Sequence, residues 1–420
     1  MKFSNYSISS DIKDNLKKLG FIRPTDIQYK AIPPVLRGED VLAVAQTGTG
    51  KTAAFDIPII DKIHKYKTSK RSTGIKCIVM VPTRELALQI GEVFAALSRH
   101  TKVVIYTLHG GVEQDTQIRK LQNGIDILVA TPGRMFDLIN QKVIRLEKVS
   151  TLVLDEADHM LDLGFIEDII YVKKMLTFKH QTLFFSATIN PEIKKLAFSQ
   201  VKTSAIRIQV SPDDPVSRNV SHFVMLVEMD DKRLYLEKFI KDHPESRIIV
   251  FVRTKVRVER VAKAMERVSI AALTIHSEKD QRERTAVMTA FKTDKIRILI
   301  ATDISARGID IPDVHYVVNY DLPEKVENYV HRVGRTGRGV GKGSALTFCS
   351  KEERTILGEI EQFLKKKIEV IHTDRSEVLP ETVDQTIKQS LDELVAEHQA
   401  WLSRKKKKRS GTAKKKNKLR

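Results

Sequence analysis

The sequence predicts an α/β protein of two consecutive domains, each a mainly parallel sheet flanked by helices, and three observations point to it. Apolar runs of four to seven residues recur over 41–210 and again over 222–349, most of them separated by helix-like segments. Buried strands alternating with helices make parallel sheets covered on both faces. Between the two series lies Ser211–Asn219, SPDDPVSRN, with Val216 as its one apolar residue, which reads as a linker. Finally, 420 residues exceed what one ordinary core holds together.

Taken in order, residues 8–19 place Ile8, Ile12, Leu16 and Leu19 at helical spacing, with Ser9, Ser10 and Asp11 at the start and Gly20 at the end, a capped amphipathic helix. GFIRPTDIQ, 20–28, is too polar for core and reads as a connector. The first series of strands falls at 41–45, 77–81, 103–108, 125–130, 151–155, 182–185 and 205–210, with helices expected at 53–60, 83–98 and 115–121. The second falls at 222–227, 248–252, 270–275, 296–301, 314–320 and 344–349, closed by a helix and strand within 350–371. The expected boundaries are thus a first domain at 1–210, a linker at 211–219, a second domain at 220–371, a helical extension at 372–402 and a disordered basic tail at 403–420.

Charge is uneven. Of the net +19, Arg404–Arg420 contributes 11 Lys and Arg and no acid, which leaves +8 on the rest. A polyanionic partner is implied, and nucleic acid fits better than a membrane because the tail has no apolar face. No apolar stretch approaches 18 residues and the N-terminus lacks the apolar core of a signal peptide, so a soluble, cytoplasmic protein without a membrane partner is expected. Cys77 and Cys349 sit in apolar runs and read as small buried hydrophobes.

Polar motifs stand at the carboxyl ends of the expected strands, where parallel sheets bind ligands. The first is AQTGTGKT, Ala45–Thr52, a relaxed phosphate-loop pattern with Ala in place of its first Gly. Gln46, Thr47, Gly48, Thr49 and Gly50 would curl backbone N–H groups around phosphates at a helix start. Lys51 would reach the β and γ phosphates, and the Thr52 hydroxyl would face Mg2+. Asp155-Glu156-Ala157-Asp158 ends an apolar run: Asp155 suits a Mg2+ site and Glu156 suits the base that takes a proton from the attacking water. In the second series YVHRVGRTGR sets Arg335 and Arg338 among glycines, which suits a close approach to a triphosphate across the cleft.

With PTRELALQ, TPGR, SAT, IVFVRT, QRER and ATDISARGID in the same order, residues 3–350 resemble a DEAD-box RNA helicase, and the DEADHMLDLGF segment with a short core and basic tail is similar to bacterial RhlE-type members. The resemblance implies two RecA-like domains, ATP with Mg2+, RNA as the partner, and ribosome-assembly or RNA-decay proteins as possible associates. It places Gln28 on the adenine edge with Phe3 near the base, Asp310 toward the ribose and Gly308 toward the γ-phosphate, with Lys51, Asp155, Glu156, Arg335 and Arg338 as the catalytic set. Asp158, Ser186, Thr188 and His331 would couple phosphate state to domain closure. The RNA contacts it implies are Pro82, Thr83, Arg84, Gly110, Gly111, Thr131, Pro132, Gly133 and Arg134 in the first domain. In the second they are Arg253, Thr254, Gln281, Arg284, Thr302, Asp303 and Arg307. Hydroxyls, guanidinium groups and bare backbone suit phosphates and sugars rather than base edges. One departure from the family pattern is Asp26, where PTPIQ has its second Pro. The expected activity is RNA-dependent ATP hydrolysis coupled to local unwinding; an ATP-gated RNA clamp or a DNA helicase of the wider superfamily are the alternatives.

Overall fold

The computed structural model describes residues 2–46, 48–210, 219–306, 314–337 and 341–372. Residues 211–218 of the expected linker, the helical extension and the basic tail lie outside them, as do Thr47, Arg307, Gly308, Asp310 and Arg338.

The first sheet contains β1 Val41–Val44, β2 Cys77–Met80, β3 Ile105–Leu108, β4 Ile127–Ala130, β5 Thr151–Leu154, β6 Gln181–Ser186 and β7 Ile206–Gln209. Their order across the sheet is β3-β4-β2-β5-β6-β1-β7, all parallel. The second contains β8 Val220–Leu226, β9 Ile248–Phe251, β10 Leu273–Ile275, β11 Ile298–Ala301, β12 Tyr316–Asn319, β13 Gly343–Cys349 and β14 Glu369–Val370, in the order β10-β11-β9-β12-β13-β8-β14. Strand for strand, the second order repeats the first. Each sheet is covered on both faces: Phe55, Phe94 and Phe185 pack on one side of the first, Met135, Met160 and Phe184 on the other.

The central strands are wholly buried, as expected of the apolar runs. The run beginning at Val103 narrows to β3 because Asp126 N–H and Ile127 N–H both turn to Val104 O, ending regular pairing there. The segment read as a connector instead enters a helix at Asp26–Arg37, despite Pro33 and Pro34 inside it. Thr25 N–H donates to the Gln28 side chain at 3.0 Å and so fixes the helix start, where Asp26 puts a negative charge on the positive end of the helix dipole. Cys77 and Cys349 are both buried.

Candidate nucleotide and nucleic-acid interface

From β1 the chain turns through the Gly-rich loop into the helix Lys51–Tyr66. Gly50 caps that helix with φ +90°, and a Cβ there would stand 2.4 Å from Gln28 Nε2, so both conformation and space demand glycine. Gln28, 2% exposed, donates to Gly50 O at 3.1 Å. It therefore ties the Phe21–Gln28 segment to the phosphate loop, leaving one amide N–H and one carbonyl lone pair for a base. Phe3 is buried against Tyr6 and Phe21 and anchors the first turn to the domain. Lys51 is buried and donates to Ala45 O at 2.8 Å, a backbone contact that a phosphate can replace.

Across from Lys51 stand the acids that end β5. Burial pushes the Asp155 carboxyl up to about 7, against the opposing charge of Lys51. Glu156, at φ +49°, is a left-handed non-glycine residue at the start of the short helix Ala157–Asp162, a backbone position that costs roughly 1–3 kcal/mol and concentrates at functional sites. Burial alone would raise its pKa, yet the hydrogen bond and charge of His159, with the charges of Arg335 and Lys51, hold it well below the usual carboxylate range. These neighbours thus favour the ionised form of Glu156, the state a proton acceptor needs. His159, fully buried with Nδ1 3.4 Å from Glu156 Oε2, was not singled out in the sequence; its place three residues along one helical turn was the available signal.

Asp158 continues the cluster. Its Oδ2 accepts from Ala187 N–H, Thr188 N–H and the Thr188 hydroxyl at 2.9–3.1 Å, while Ser186 donates to Thr188 O. His331 Nε2 lies 3.6 Å from the same Asp158 oxygen. Arg335, buried and donating to His331 O at 3.1 Å, stands one turn away on the helix side of the second domain. The coupling residues named from the sequence are therefore one contiguous network that spans the cleft. Lys325 and Asp162, 2.9 Å apart, add a cross-domain ion pair that the sequence did not announce.

A second cleft-spanning group is a cavity of about 380 Å3. Pro82, Thr83, Arg84, Gly110, Thr131, Gly133 and Arg134 line it from the first domain, Gln281 and Arg284 from the second. Thr83 caps the helix Arg84–Leu97, and Arg84 lies over the glycine pair: a Cβ on Gly111 would meet Arg84 Nη1 at 2.2 Å. A Cβ on Gly133, by contrast, would meet no protein atom within 4 Å, so the bare backbone there is open to whatever lies outside. Arg84 reaches Gln281 at 3.4 Å, and Arg284 pairs with Glu85 at 2.7 Å.

Other predicted contacts are placed differently. Arg253 and Thr254 line a separate cavity with Arg233, Arg257 and Arg260, and Arg253 turns toward Leu322 O and Glu353. Asp303 is held by the guanidinium of Arg332, which is 1% exposed and also donates to Asn319 and Asp321 O. Pro132 opens the helix Pro132–Asn140 beside the cavity, and Thr302 directly follows β11.

Comparison with known proteins follows this geometry. Residues 25–196 match the DEAD/DEAH box helicase family model, and residues 231–340 the helicase conserved C-terminal domain. The chain is 40% identical over 367 residues to the DEAD-box ATP-dependent RNA helicase CshA of Bacillus subtilis, covering 87% of this chain and 73% of that one. It is 39% identical to the ATP-dependent RNA helicase CshA of Listeria monocytogenes, covering 88% and 70%. These names do not assign the chain to the RhlE-type branch. Among solved structures, S. cerevisiae Dbp5 bound to RNA and ADP BeF3 superposes with a TM-score of 0.81 at 28% identity, covering 92% of this chain and 99% of that one. Dbp5 in a complex with Nup159, Gle1, IP6 and ADP gives 0.60 at 27% identity, covering 91% and 100%.

Proposed function

The chain belongs to the DEAD-box family of ATP-dependent RNA helicases, and from that premise we propose how its residues divide the work. The two sheets carry two RecA-like domains, 1–210 and 220–371, that close on ATP and RNA. Residues 45–52 hold the triphosphate, with Gln28 offering its free amide valences to the base. Asp155 and Thr52 would hold Mg2+: a buried carboxylate whose charge burial disfavours and a hydroxyl in the first turn of the phosphate-loop helix are hard oxygen donors, and phosphate oxygens complete such a site. When bound, the ion neutralises charge on the phosphates. Glu156 orients the attacking water and accepts its proton, and Arg335, with Arg338, stabilises charge on the transferring phosphoryl group.

The observation that supports this reading is the cluster in which Asp158 meets both Thr188 of its own domain and His331 of the other, while the charge of Arg335 acts on Glu156, so that groups proposed to act from both domains stand together. RNA bound along Pro82–Arg84, Gly110–Gly111, Thr131–Arg134, Gln281 and Arg284 holds the domains together, and hydrolysis releases them. The family's ATP-dependent remodelling of RNA follows from that closure. No described helix is long and apolar enough to cross a membrane, and we place the protein in the cytoplasm.

Strand separation tests the proposal. A short RNA duplex with a single-stranded overhang should be opened only when ATP is present. Equal opening of the same duplex made of DNA, or opening indifferent to ATP, would contradict it.

A further inference from the structure

The backbone of Glu156 is fixed on both sides of its left-handed turn: its N–H donates to Asp155 Oδ1 at 3.0 Å, and its carbonyl accepts from Met160 N–H at 3.0 Å. The side chain beyond is a chain of rotatable bonds that the backbone alone does not aim. Among the described residues its carboxylate makes one hydrogen bond, in which Oε2 lies 3.4 Å from His159 Nδ1. An ionised carboxylate only accepts, so Nδ1 carries the hydrogen between them. Three residues along one turn of helix bring the two side chains together. The Glu156 side chain keeps 10% of its surface exposed and that of His159 none. With Oε2 engaged by the ring, Oε1 is the oxygen left to water.

Stability does not account for a histidine at this position. His159 Nε2 is buried without a hydrogen-bond partner among the described residues, and a buried polar atom left unpaired weakens a fold. An apolar side chain of similar volume would fill the space without that loss, but it would leave the Glu156 carboxylate free to turn among its rotamers. We propose that His159 is a positioning residue for ATP hydrolysis, whose Nδ1–H holds Glu156 Oε2 and thereby turns Oε1 toward the attacking water. The inference rests on the reading of Glu156 as the proton acceptor. In the step it serves, Oε1 takes a proton from the water whose oxygen bonds to the γ-phosphorus, as the bond from that phosphorus to the ADP oxygen breaks. His159 neither gains nor loses a proton in that step.

The test compares His159→Leu, His159→Phe, His159→Asn and Glu156→Gln in the full chain. Steady-state ATP turnover is measured with saturating single-stranded RNA, ATP affinity by nucleotide fluorescence and stability by chemical denaturation. Asn offers an amide N–H near the place of Nδ1, whereas Leu and Phe offer no donor. Each apolar variant should lower kcat at least about tenfold and leave ATP affinity within about threefold, with a denaturation midpoint equal to or above the parent's. His159→Asn should keep kcat within about threefold of the parent. Glu156→Gln should be slower than any of them, by about 10^2 or more. If Glu156→Gln turns over as fast as the parent, the reading of Glu156 fails and the positioning role with it. If Glu156→Gln is slow while the apolar variants stay within about threefold of the parent, or while His159→Asn is as slow as they are, the positioning role alone is overturned. A loss of turnover matched by lowered midpoints and by a proportional loss of ATP affinity would make the ring a packing residue and overturn it as well.

Discussion

The two sheets share one strand order, so each presents the same corner at the carboxyl ends of its strands, yet only the first leaves that corner open to a triphosphate. After β1 a Gly-rich loop leads to Lys51, whose Nζ rests on a backbone carbonyl and faces an acid, Asp155, that burial drives toward neutrality. After β8 no such loop intervenes, and the helix Lys232–Asp242 opens with a lysine that is 0% exposed. Lys232 donates to Tyr320 O at 2.8 Å and to Glu353 at 2.5 Å, and lies 3.7 Å from Asp321. Asp321 follows β12, the counterpart of β5, and is further satisfied by Arg257 at 3.0 Å and by Arg253 N–H. The same topology therefore yields a ligand site where cation and acid are left uncompensated, and a structural ion cluster where they neutralise each other. What the second domain contributes in the proposed chemistry is instead Arg335, whose charge acts on Glu156 of the first domain.

Arg335→Ala should break this division of labour most severely. Loss of an arginine that acts on the transferring phosphoryl group lowers turnover by about 10^3 to 10^5, or about 4–7 kcal/mol of barrier. ATP affinity measured by nucleotide fluorescence should move only a few fold. Affinity falling in step with turnover would instead make Arg335 a ground-state binding residue.

The two lysines sharpen the comparison next. Lys232→Met removes the fully buried cation between Glu353 and Asp321, leaving them Arg253 and Arg257, and should cost about 1–3 kcal/mol in chemical denaturation. ATP affinity of the folded fraction should be unchanged. Lys51→Met should do the reverse, weakening ATP binding at least about tenfold, since one charge-assisted contact is worth about 1.5–3 kcal/mol, while unfolding changes little.

A smaller effect concerns Asp56, on the phosphate-loop helix. It is 0% exposed, and neither carboxylate oxygen has a hydrogen-bond partner among the described residues. Burial, and then the charge of Asp155, raises its pKa well above the ordinary 3.8. A raised acid binds more protons folded than unfolded. Its contribution is therefore most favourable below pH 3.8 and declines as pH rises toward the native value. Asp56→Ala should remove that decline and stabilise the protein at neutral pH by about 1–3 kcal/mol. A destabilised variant with an unchanged pH profile would mean that a bound group satisfies Asp56.

Signals confined to a few neighbouring residues were legible in the sequence. Glycines at the loop, apolar runs at the strands and acids at the end of β5 each act through local geometry. Pairings between distant positions were not. Glu85 and Arg284 meet across 199 residues of chain, and Arg332 reads as part of a basic helix face until Asp303 and Asn319 are found beside it. The polarity of 20–28 misled in the other direction, because its last residues enter a helix that is fixed at its start by the Thr25 and Gln28 contact and tolerates Pro33 and Pro34. The repeat of one strand order was equally hidden, since the two domains share topology without sharing motifs.

Hydrolysis is proposed to require groups of both domains, assembled when RNA bridges the cleft. Steady-state ATP turnover by the full chain, with single-stranded RNA, with single-stranded DNA of the same sequence and with neither, tests it most directly. The account predicts turnover stimulated strongly by RNA, far less by DNA, and abolished with RNA present in Arg335→Ala. Turnover that is equal in all three conditions, or that survives Arg335→Ala within about threefold, less than about 1 kcal/mol of barrier, would contradict it.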